Sequence, residues 1–342
     1  MNVLVTGGLG VNGCWVTRSL LEQGHRPIVF DSRSDLTLLS DLAGQFEVVV
    51  GDILDYPLLA RTLKEYQIER ICHLAAMYPE PANANPVRGF EINALATVYV
   101  LEAARLRGID RVVYTSSIAA LSSLTREHKY PNYAPIAENH PSYPSSGGVY
   151  GATKIASELM GYVYQRLYDV KFIALRFAGI FGPGKRDPRH GTYGGTWTQL
   201  VENTITATPT RFVVAEDEPK DMTYARDVAQ SVVLSCFAPD EQVKHALFHI
   251  GSGRGHTLRD CAAAVRESFP DAEIDVEIQP GTRVQHASDG GSRGGYVFDI
   301  RRAQAELGYM PQFTLEEAVR DWVEWMDRLR LGPYSQPKVD KG

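Results

Sequence analysis

The sequence has few cysteines, and their spacing does not match the usual metal or disulfide frameworks. Cys14, Cys72, Cys236 and Cys261 are scattered over 342 residues, and no pair has the spacing of metal ligands. We therefore expect free buried thiols, a reducing cytoplasmic environment and no bound metal.

The sequence also lacks a long basic patch and any long apolar run. With a formal net charge of -6, the chain shows no electrostatic footprint for nucleic acid, so we expect none as a partner. Its apolar runs are far too short to span a bilayer, and Met1 leads directly into a strand pattern without the segments of a signal peptide. These absences favour a soluble enzyme that acts on a small molecule.

Glycines follow the first strand pattern at a spacing suited to dinucleotide binding. Residues 1–6 are predicted to form a short apolar strand, and Gly7, Gly10 and Gly13 lie between it and a helix that runs to Gly24. Gly7 would allow the sharp turn, Gly10 would let the backbone approach a pyrophosphate, and Gly13 would let the helix pack close to the strand. The pyrophosphate would lie on the N–H groups that begin the helix.

The second strand pattern ends in an acidic residue. Pro27–Phe30 is predicted as a strand, and Asp31 follows it where a carboxylate would accept hydrogen bonds from the adenosine ribose. This carboxylate would repel a 2′-phosphate, so NAD is favoured over NADP as the cofactor. Arg33 is the counter-argument, because an arginine there could pair with that phosphate.

Strand and helix patterns alternate along most of the chain, which predicts an α/β fold with a parallel sheet and helices on both faces. Ligands bind beyond the carboxyl ends of the strands in such sheets. Further strands are expected at Glu47–Val50, Arg70–Leu74, Val112–Ser116, Phe172–Arg176 and Ala246–Gly251, and helices at Asp55–Tyr66, Val87–Arg107 and Val149–Leu167.

Glycine, proline and charge become frequent after about residue 179, which indicates a change of organisation. We predict a cofactor-binding domain over residues 1–178, whose sheet is completed by a segment within 226–252. A smaller, interleaved substrate lobe would comprise residues 179–225 and 253–331. Residues 332–342 are predicted to be a frayed polar tail.

Tyr150 and Lys154 are the pair that carries the most chemical information. They are four residues apart in a helical pattern, so they should lie one above the other on the same face. An ammonium beside a phenol favours the phenolate and would lower the pKa of the tyrosine. A tyrosine shifted in this way could take a proton from a substrate alcohol.

These motifs together resemble the extended short-chain dehydrogenase/reductase family, the NAD-dependent epimerase/dehydratase group. The resemblance covers nearly the whole chain and implies a Rossmann-type doubly wound sheet. The matching residues are Thr6–Gly13, Gly51–Ile53, His73–Ala76, Asn93, Thr115–Ser117, Tyr150–Lys154, Leu175–Gly184 and Glu306–Pro311.

The resemblance implies a role for each matching residue. Tyr150 would be the catalytic acid/base, Lys154 would bind the nicotinamide ribose, and Ser117 would hydrogen-bond the reacting oxygen. Asn93 matches a position whose role is either structural, through a helix kink and a bound water, or functional. The implied cofactor contacts are Gly7, Gly10, Val11, Asn12, Gly13, Asp31, Asp52, Ile53, Leu74, Ala75, Ala76, Asn93, Thr115, Tyr150, Lys154, Phe177, Gly179 and Ile180.

Departures from the family narrow the reaction. Ser117 is followed by Ile118 and Ala119, where sugar-nucleotide dehydratases carry an Asp-Glu pair, so we do not expect dehydration. Many nucleotide-sugar epimerases have an asparagine shortly after the residue that corresponds to Arg176, but here Phe177, Ala178 and Gly179 follow it. Those enzymes also tend to carry an arginine ahead of an aromatic–Asp segment, which here reads Pro-Lys-Asp-Met-Thr-Tyr-Ala-Arg-Asp over residues 219–227. Whether the chain anchors a nucleotide diphosphate is therefore open.

Three functions stay open at this point. The first is an NAD-dependent epimerase or oxidoreductase acting on a secondary alcohol of a sugar or sugar derivative, either free or nucleotide-linked. The second is a dehydrogenase of a small hydroxy or amino acid, because residues 177–180 and 221–224 look like those of threonine dehydrogenase. The third is a cofactor-binding regulator without chemistry, against which the intact Ser117, Tyr150 and Lys154 argue.

The substrate contacts and the oligomeric state are the least readable features. Candidate substrate contacts are Met77, Ser117, Arg186, Tyr193 and Thr196, and Arg189, His190, Arg283 and Arg293 are further cations that would suit an acidic substrate. The resemblance implies a homodimer that pairs the helix around residues 93–107 with the helix that carries Tyr150. The apolar contacts would come from Ala94, Leu95, Val98, Leu101, Leu159 and Val163.

Overall fold

The computed structural model describes residues 1–129, 131–143, 148–184, 195–214, 217–279 and 295–331. Its strands are β1 (Asn2–Thr6), β2 (Arg26–Asp31), β3 (Glu47–Val50), β4 (Arg70–His73), β5 (Arg111–Ser117), β6 (Lys171–Phe177), β7 (Gly179–Phe181), β8 (Thr210–Val214), β9 (Lys220–Tyr224), β10 (Leu247–Ile250), β11 (Gly255–His256) and β12 (Ile274–Ile278). Its helices are α1 (Val11–Glu22), α2 (Tyr56–Glu65), α3 (Pro79–Ala84), α4 (Pro86–Phe90), α5 (Ala96–Arg107), α6 (Gly148–Tyr168), α7 (Thr196–Ile205), α8 (Ala225–Phe237), α9 (Leu258–Ser268), α10 (Arg301–Leu307) and α11 (Leu315–Arg328).

A seven-stranded parallel sheet forms the centre of the molecule, in the order β10-β6-β5-β4-β1-β2-β3. The order reverses between β1 and β4, which is where ligands bind in doubly wound sheets. All seven strands expected from the sequence belong to this sheet. One of them, the late segment at 246–251, is the edge strand β10 beside β6.

Two apolar cores cover the two faces of the sheet. Successive side chains of a strand point to opposite faces, so Val3 and Val5 lie in one core and Leu4 in the other. Helices α1, α8 and α11 pack on the first face, and α2, α5 and α6 on the second. Because both faces are covered, the strands are apolar runs rather than alternating ones.

Smaller sheets lie beyond the carboxyl ends of the main strands. Strand β9 lies between β7 and β11, and β12 pairs in parallel with β8. The β7–β9 pairing joins the segment directly after β6 to the segment directly before α8, so both lie close to the end of the main sheet.

The helix expected over residues 87–107 is interrupted. Helix α4 ends at Phe90, a wider π-type turn spans Glu91–Leu95, and α5 begins at Ala96. Such turns occur often at functional sites. This one contains Asn93, which the sequence singled out. In the described part of the chain, no helix is long and apolar enough to cross a membrane.

Candidate active site

The glycine turn after β1 has no room for side chains. Gly7 has a φ of +69°, and a Cβ there would lie 2.8 Å from the Ala75 nitrogen. A Cβ on Gly13 would lie 2.1 Å from the Gly7 carbonyl oxygen. Gly10 precedes α1 with an extended backbone, and no side chain caps the helix there. The backbone N–H groups at Val11 and Asn12 therefore begin a helix whose end suits a pyrophosphate.

Asp31 links the end of β2 to the glycine turn. Its Oδ2 accepts a hydrogen bond from the Leu9 N–H at 3.1 Å, and its Oδ1 accepts one from the Arg33 N–H at 3.2 Å. The Arg33 Nε lies 3.8 Å from the same Oδ1. Asp31, which we expect to hold the ribose, and Arg33, which could pair with a 2′-phosphate, are therefore neighbours.

A buried polar chain that the sequence analysis missed supports this turn. The Thr6 hydroxyl contacts His73 Nδ1 at 2.6 Å and accepts the N–H groups of Leu74 and Ala75 at 3.2 and 3.3 Å. His73 Nε2 contacts the Thr97 hydroxyl at 3.1 Å. Burial lowers the pKa of His73 to about 3. The neutral imidazole therefore links β1, β4 and α5, and it fixes the backbone at Leu74 and Ala75.

Asn93 holds the segment that follows β4. Its Oδ1 accepts from the Met77 N–H at 2.7 Å, and its Nδ2 donates to the Met77 carbonyl at 3.0 Å. Its own carbonyl accepts from the hydroxyls of Thr97 and Ser157 at 2.9 Å each. The side chain is therefore committed to positioning Met77, a predicted substrate contact, and the backbone beyond Ala76.

Two glycines let helix α6, which carries Tyr150 and Lys154, lie close to the sheet. A Cβ on Gly151 would lie 2.5 Å from the Ala119 carbonyl oxygen, and one on Gly161 would lie 2.1 Å from the Phe172 ring. The first contact brings the residue after Tyr150 against the chain just beyond β5. The Ser117 hydroxyl therefore lies near the Tyr150 phenol, on whose pKa it acts to lower it.

Lys154 lies on the same face of α6, below Tyr150. Its Nζ donates to the Thr115 carbonyl at 2.5 Å and lies 5.3 Å from the Tyr150 ring centroid and 4.7 Å from that of Tyr114. Burial lowers the pKa of Lys154 to about 7. The structure thus brings Ser117, Tyr150 and Lys154 together at the carboxyl end of β5.

The predicted lowering of the Tyr150 pKa is not found. Burial raises the pKa of Tyr150 above its ordinary value, the Tyr78 phenol acts in the same direction, and the Ser117 hydrogen bond opposes them. The physical reason is that burial of the phenol disfavours the phenolate, while Lys154 directs its ammonium at the Thr115 carbonyl.

The remaining predicted cofactor contacts lie at the ends of their strands. Asp52 accepts from the Leu54 N–H at 3.0 Å and pairs with Arg88 at 2.6 Å, and Ile53 beside it is buried. Gly179 donates its N–H to the Tyr296 hydroxyl at 3.0 Å, between the buried Phe177 and the partly buried Ile180.

Some predicted substrate contacts lie outside the described residues. Thr196 begins α7 and is partly buried. Arg186 and Tyr193 lie outside the described residues, as do Arg189, His190, Arg283 and Arg293.

Two further neighbours of the site were missed. Tyr78 follows the clamped Met77 and its phenol interacts with Tyr150. Asn83 accepts from the Val149 N–H at 2.9 Å and so holds the first turn of α6. Neither residue belongs to a motif, so single-sequence reasoning had no signal for them. Within the described ranges, His, Cys, Asp and Glu do not form a group of three that could hold a metal.

Comparisons with known proteins agree with this geometry. The family model for the NAD-dependent epimerase/dehydratase family matches residues 3–251. The UDP-glucose 4-epimerase of Mycolicibacterium smegmatis is 28% identical over 330 residues, covering 95% of this chain and 98% of the relative. The structure of the Thermotoga maritima UDP-glucose 4-epimerase with UDP-glucose superimposes with a TM-score of 0.79 at 25% identity, covering 96% of this chain and 99% of that one.

A second solved structure includes the cofactor. The Thermus thermophilus UDP-glucose 4-epimerase in complex with NAD matches with a TM-score of 0.76 at 26% identity, over 96% of this chain and 99% of that one. Because the family model covers well over half of the chain and the glycine turn and the Ser117–Tyr150–Lys154 group occupy the same sheet edge, the protein belongs to the NAD-dependent epimerase/dehydratase family of extended short-chain dehydrogenases/reductases and is an enzyme of that type.

Proposed function

We propose that the protein is an NAD-dependent epimerase or oxidoreductase that acts on a secondary alcohol of a sugar or sugar derivative. The observation that carries the proposal is the meeting of Ser117, Tyr150 and Lys154 beside the glycine turn. Full-length similarity to UDP-glucose 4-epimerases makes nucleotide-linked hexoses the first substrates to test.

In the proposed reaction, Tyr150 takes the proton of the carbinol hydroxyl, and Ser117 hydrogen-bonds the same oxygen and stabilises its developing charge. Lys154 binds the nicotinamide ribose and also donates a hydrogen bond to the Thr115 carbonyl at the end of β5. When bound, NAD would supply the acceptor for the hydride that leaves the carbinol carbon. The pocket would either keep the resulting ketone for reduction on its other face, as in an epimerase, or release it, as in a dehydrogenase.

The residues fit NAD along a continuous path. The turn of Gly7, Gly10 and Gly13 suits the pyrophosphate, because it leads into the N–H groups that begin α1, and a Cβ at Gly7 or Gly13 would displace its backbone. Asp31 would hold the adenosine ribose, and Asp52 with Ile53 would flank the adenine. We propose NAD rather than NADP, because Asp31 would repel a 2′-phosphate. A comparison of the two dissociation constants tests this choice.

A small hydroxy or amino acid is the second candidate substrate. The two sequence runs that suggested it are joined by the β7–β9 pairing, where Gly179 is the register partner of Met222. A Cβ on Gly179 would lie 2.5 Å from the Met222 sulfur. This tight contact packs the two runs against each other, so they act together at the end of β6.

We propose a homodimer that pairs α5, extended at its start by α4, with α6. Val87, Phe90 and Leu159 expose 71%, 55% and 59% of their surfaces, and exposed apolar patches mark interaction sites. Two of the predicted contacts are corrected: Ala94 and Leu101 are buried in the protein's own core, because they face the sheet. Light scattering should give a dimer mass, and Phe90→Asp should convert it to a monomer. A monomeric wild type would refute the dimer.

We also propose a reducing cytoplasmic environment for the protein. All four cysteines are buried and none forms a disulfide, as expected where thiols stay reduced.

The experiment that identifies the reaction is absorbance at the reduced-nicotinamide band. Purified protein is mixed with NAD and a panel of nucleotide sugars, free sugars, sugar acids and hydroxy acids, and the products are separated by chromatography. Stoichiometric accumulation of NADH identifies a dehydrogenase and its substrate. An isomer without accumulation identifies an epimerase, and turnover of a hydroxy or amino acid alone selects the second candidate.

A further inference from the structure

We propose that Glu158 is a positioning residue for the active site: its buried carboxylate, fixed by the central sheet one helical turn from Lys154, favours the charged form of that lysine. The inference rests on the proposed function in assigning Lys154 a role in cofactor binding. Glu158 belongs to none of the site residues expected from the sequence.

The three side chains share one face of α6. Tyr150, Lys154 and Glu158 are spaced by four residues, so they lie on consecutive turns. Lys154 and Glu158 are both buried. In the described part of the chain, Glu158 is the one acidic group whose charge acts on Lys154, and it favours the ammonium form.

Glu158 is held in place from two strands of the sheet. Its Oε1 accepts from the Ser116 hydroxyl at 2.5 Å and from Arg176 Nε at 2.8 Å, and its Oε2 accepts from Arg176 Nη2 at 2.6 Å. Ser116 precedes Ser117 on β5, and Arg176 is the register partner of Ser116 on β6. One carboxylate thus couples α6 to the strand that carries the third catalytic group.

Stability alone does not explain why Glu158 and Arg176 form a buried ion pair. Removing two charges from water costs several kcal/mol each, and an apolar pair of similar volume is often as stable. An effect of the Glu158 carboxylate on the charge of Lys154 explains why a charged residue is present at this buried position.

The other groups around Lys154 do not replace this charge. On β4, His73 is neutral because burial lowers its pKa to about 3. On β5, burial raises the pKa of Tyr114 far above neutrality, and the Thr115 carbonyl contributes a dipole. On α6, burial raises the pKa of Tyr150. Because burial lowers the pKa of Lys154 to about 7, loss of the Glu158 charge would make Lys154 release its proton at a lower pH.

The test is the titration of Lys154, followed by NMR of ¹³C-lysine in the full chain. The Lys154 Cε signal is assigned with Lys154→Met. The wild type should titrate near pH 7. In the double variant Glu158→Gln/Arg176→Met, which leaves no buried charge unpaired, the midpoint should fall, because Glu158 and not Arg176 is the charge that acts on Lys154. The charged fraction of Lys154 at pH 7 would then be smaller than in the wild type.

Ser116→Ala is the matched control, because it removes a hydrogen bond to Glu158 but leaves its charge, so the midpoint should stay near that of the wild type. Glu158→Gln alone leaves Arg176 buried without a partner, and thermal unfolding shows whether that variant folds. An unchanged midpoint in the folded double variant overturns the inference. Because the titration needs no substrate, a shifted midpoint in a protein without turnover would refute the proposed function and leave the inference intact.

Discussion

Replacing Gly13 by alanine tests the contact on which the cofactor cradle is built. The added Cβ would lie 2.1 Å from the Gly7 carbonyl oxygen, 2.6 Å from the Gly8 Cα and 2.9 Å from the Gly7 carbonyl carbon. All three are backbone atoms, so no side chain can rotate away. Ordinary contact begins near 3.4 Å, and α1 would have to move by about 1 Å. Overpacking of this kind costs about 1–3 kcal/mol.

We therefore expect Gly13→Ala to lower the melting temperature by several degrees and to weaken NAD binding by about tenfold or more, measured by calorimetric titration. Gly10→Ala separates the two effects. Its Cβ would lie 3.2 Å from the Gly7 oxygen at an ordinary φ of −73°, so the fold should tolerate it while the pyrophosphate approach is blocked. A Gly13→Ala protein with wild-type stability and NAD affinity would refute the reasoning about this turn.

Three further predictions concern single ionisable groups. NAD affinity should fall as the pH rises through about 7, because Lys154 loses its charge there, and Lys154→Met should remove this dependence; a flat wild-type profile from pH 6 to 8.5 would contradict it. Asp227→Asn should stabilise the protein by about 3 kcal/mol at pH 7 to 8 in urea unfolding, since burial raises the pKa of Asp227 to about 6. The folded carboxyl then loses its proton later than the unfolded one, so the gain should vanish below about pH 4, and a gain that persists there would count against this cause. Tyr78→Phe should leave the fold unchanged and alter the alkaline limb of the pH–rate profile through Tyr150, and an identical profile would show that the Tyr78 hydroxyl plays no part.

The sequence predicted the main sheet well because its signals are local. Buried parallel strands are short apolar runs, and β10 was recognised in this way despite lying far along the chain. The glycine turn was readable for the same reason, since Gly7 needs a positive φ and Gly13 needs the absence of a Cβ.

The properties of the site that depend on its three-dimensional surroundings could not be predicted. The spacing of Tyr150 and Lys154 correctly predicted that both lie on one face of a helix. The pKa of each side chain depends on burial, which the spacing does not show. The helical pattern itself does not show the interruption at Glu91–Leu95; the resemblance implied a kink at Asn93 as one of two alternatives. The Glu158–Arg176 pair joins α6 to β6 through tertiary contact alone.

The measurement that tests the central claim most directly is a comparison of wild type and Tyr150→Phe, with the substrate found in the panel, for turnover and for NAD binding. The account predicts that turnover falls by about 10²–10⁴-fold while the dissociation constant for NAD stays within about twofold, because the Tyr150 hydroxyl handles the proton and not the cofactor. Turnover that survives the loss of this hydroxyl would contradict the assigned mechanism.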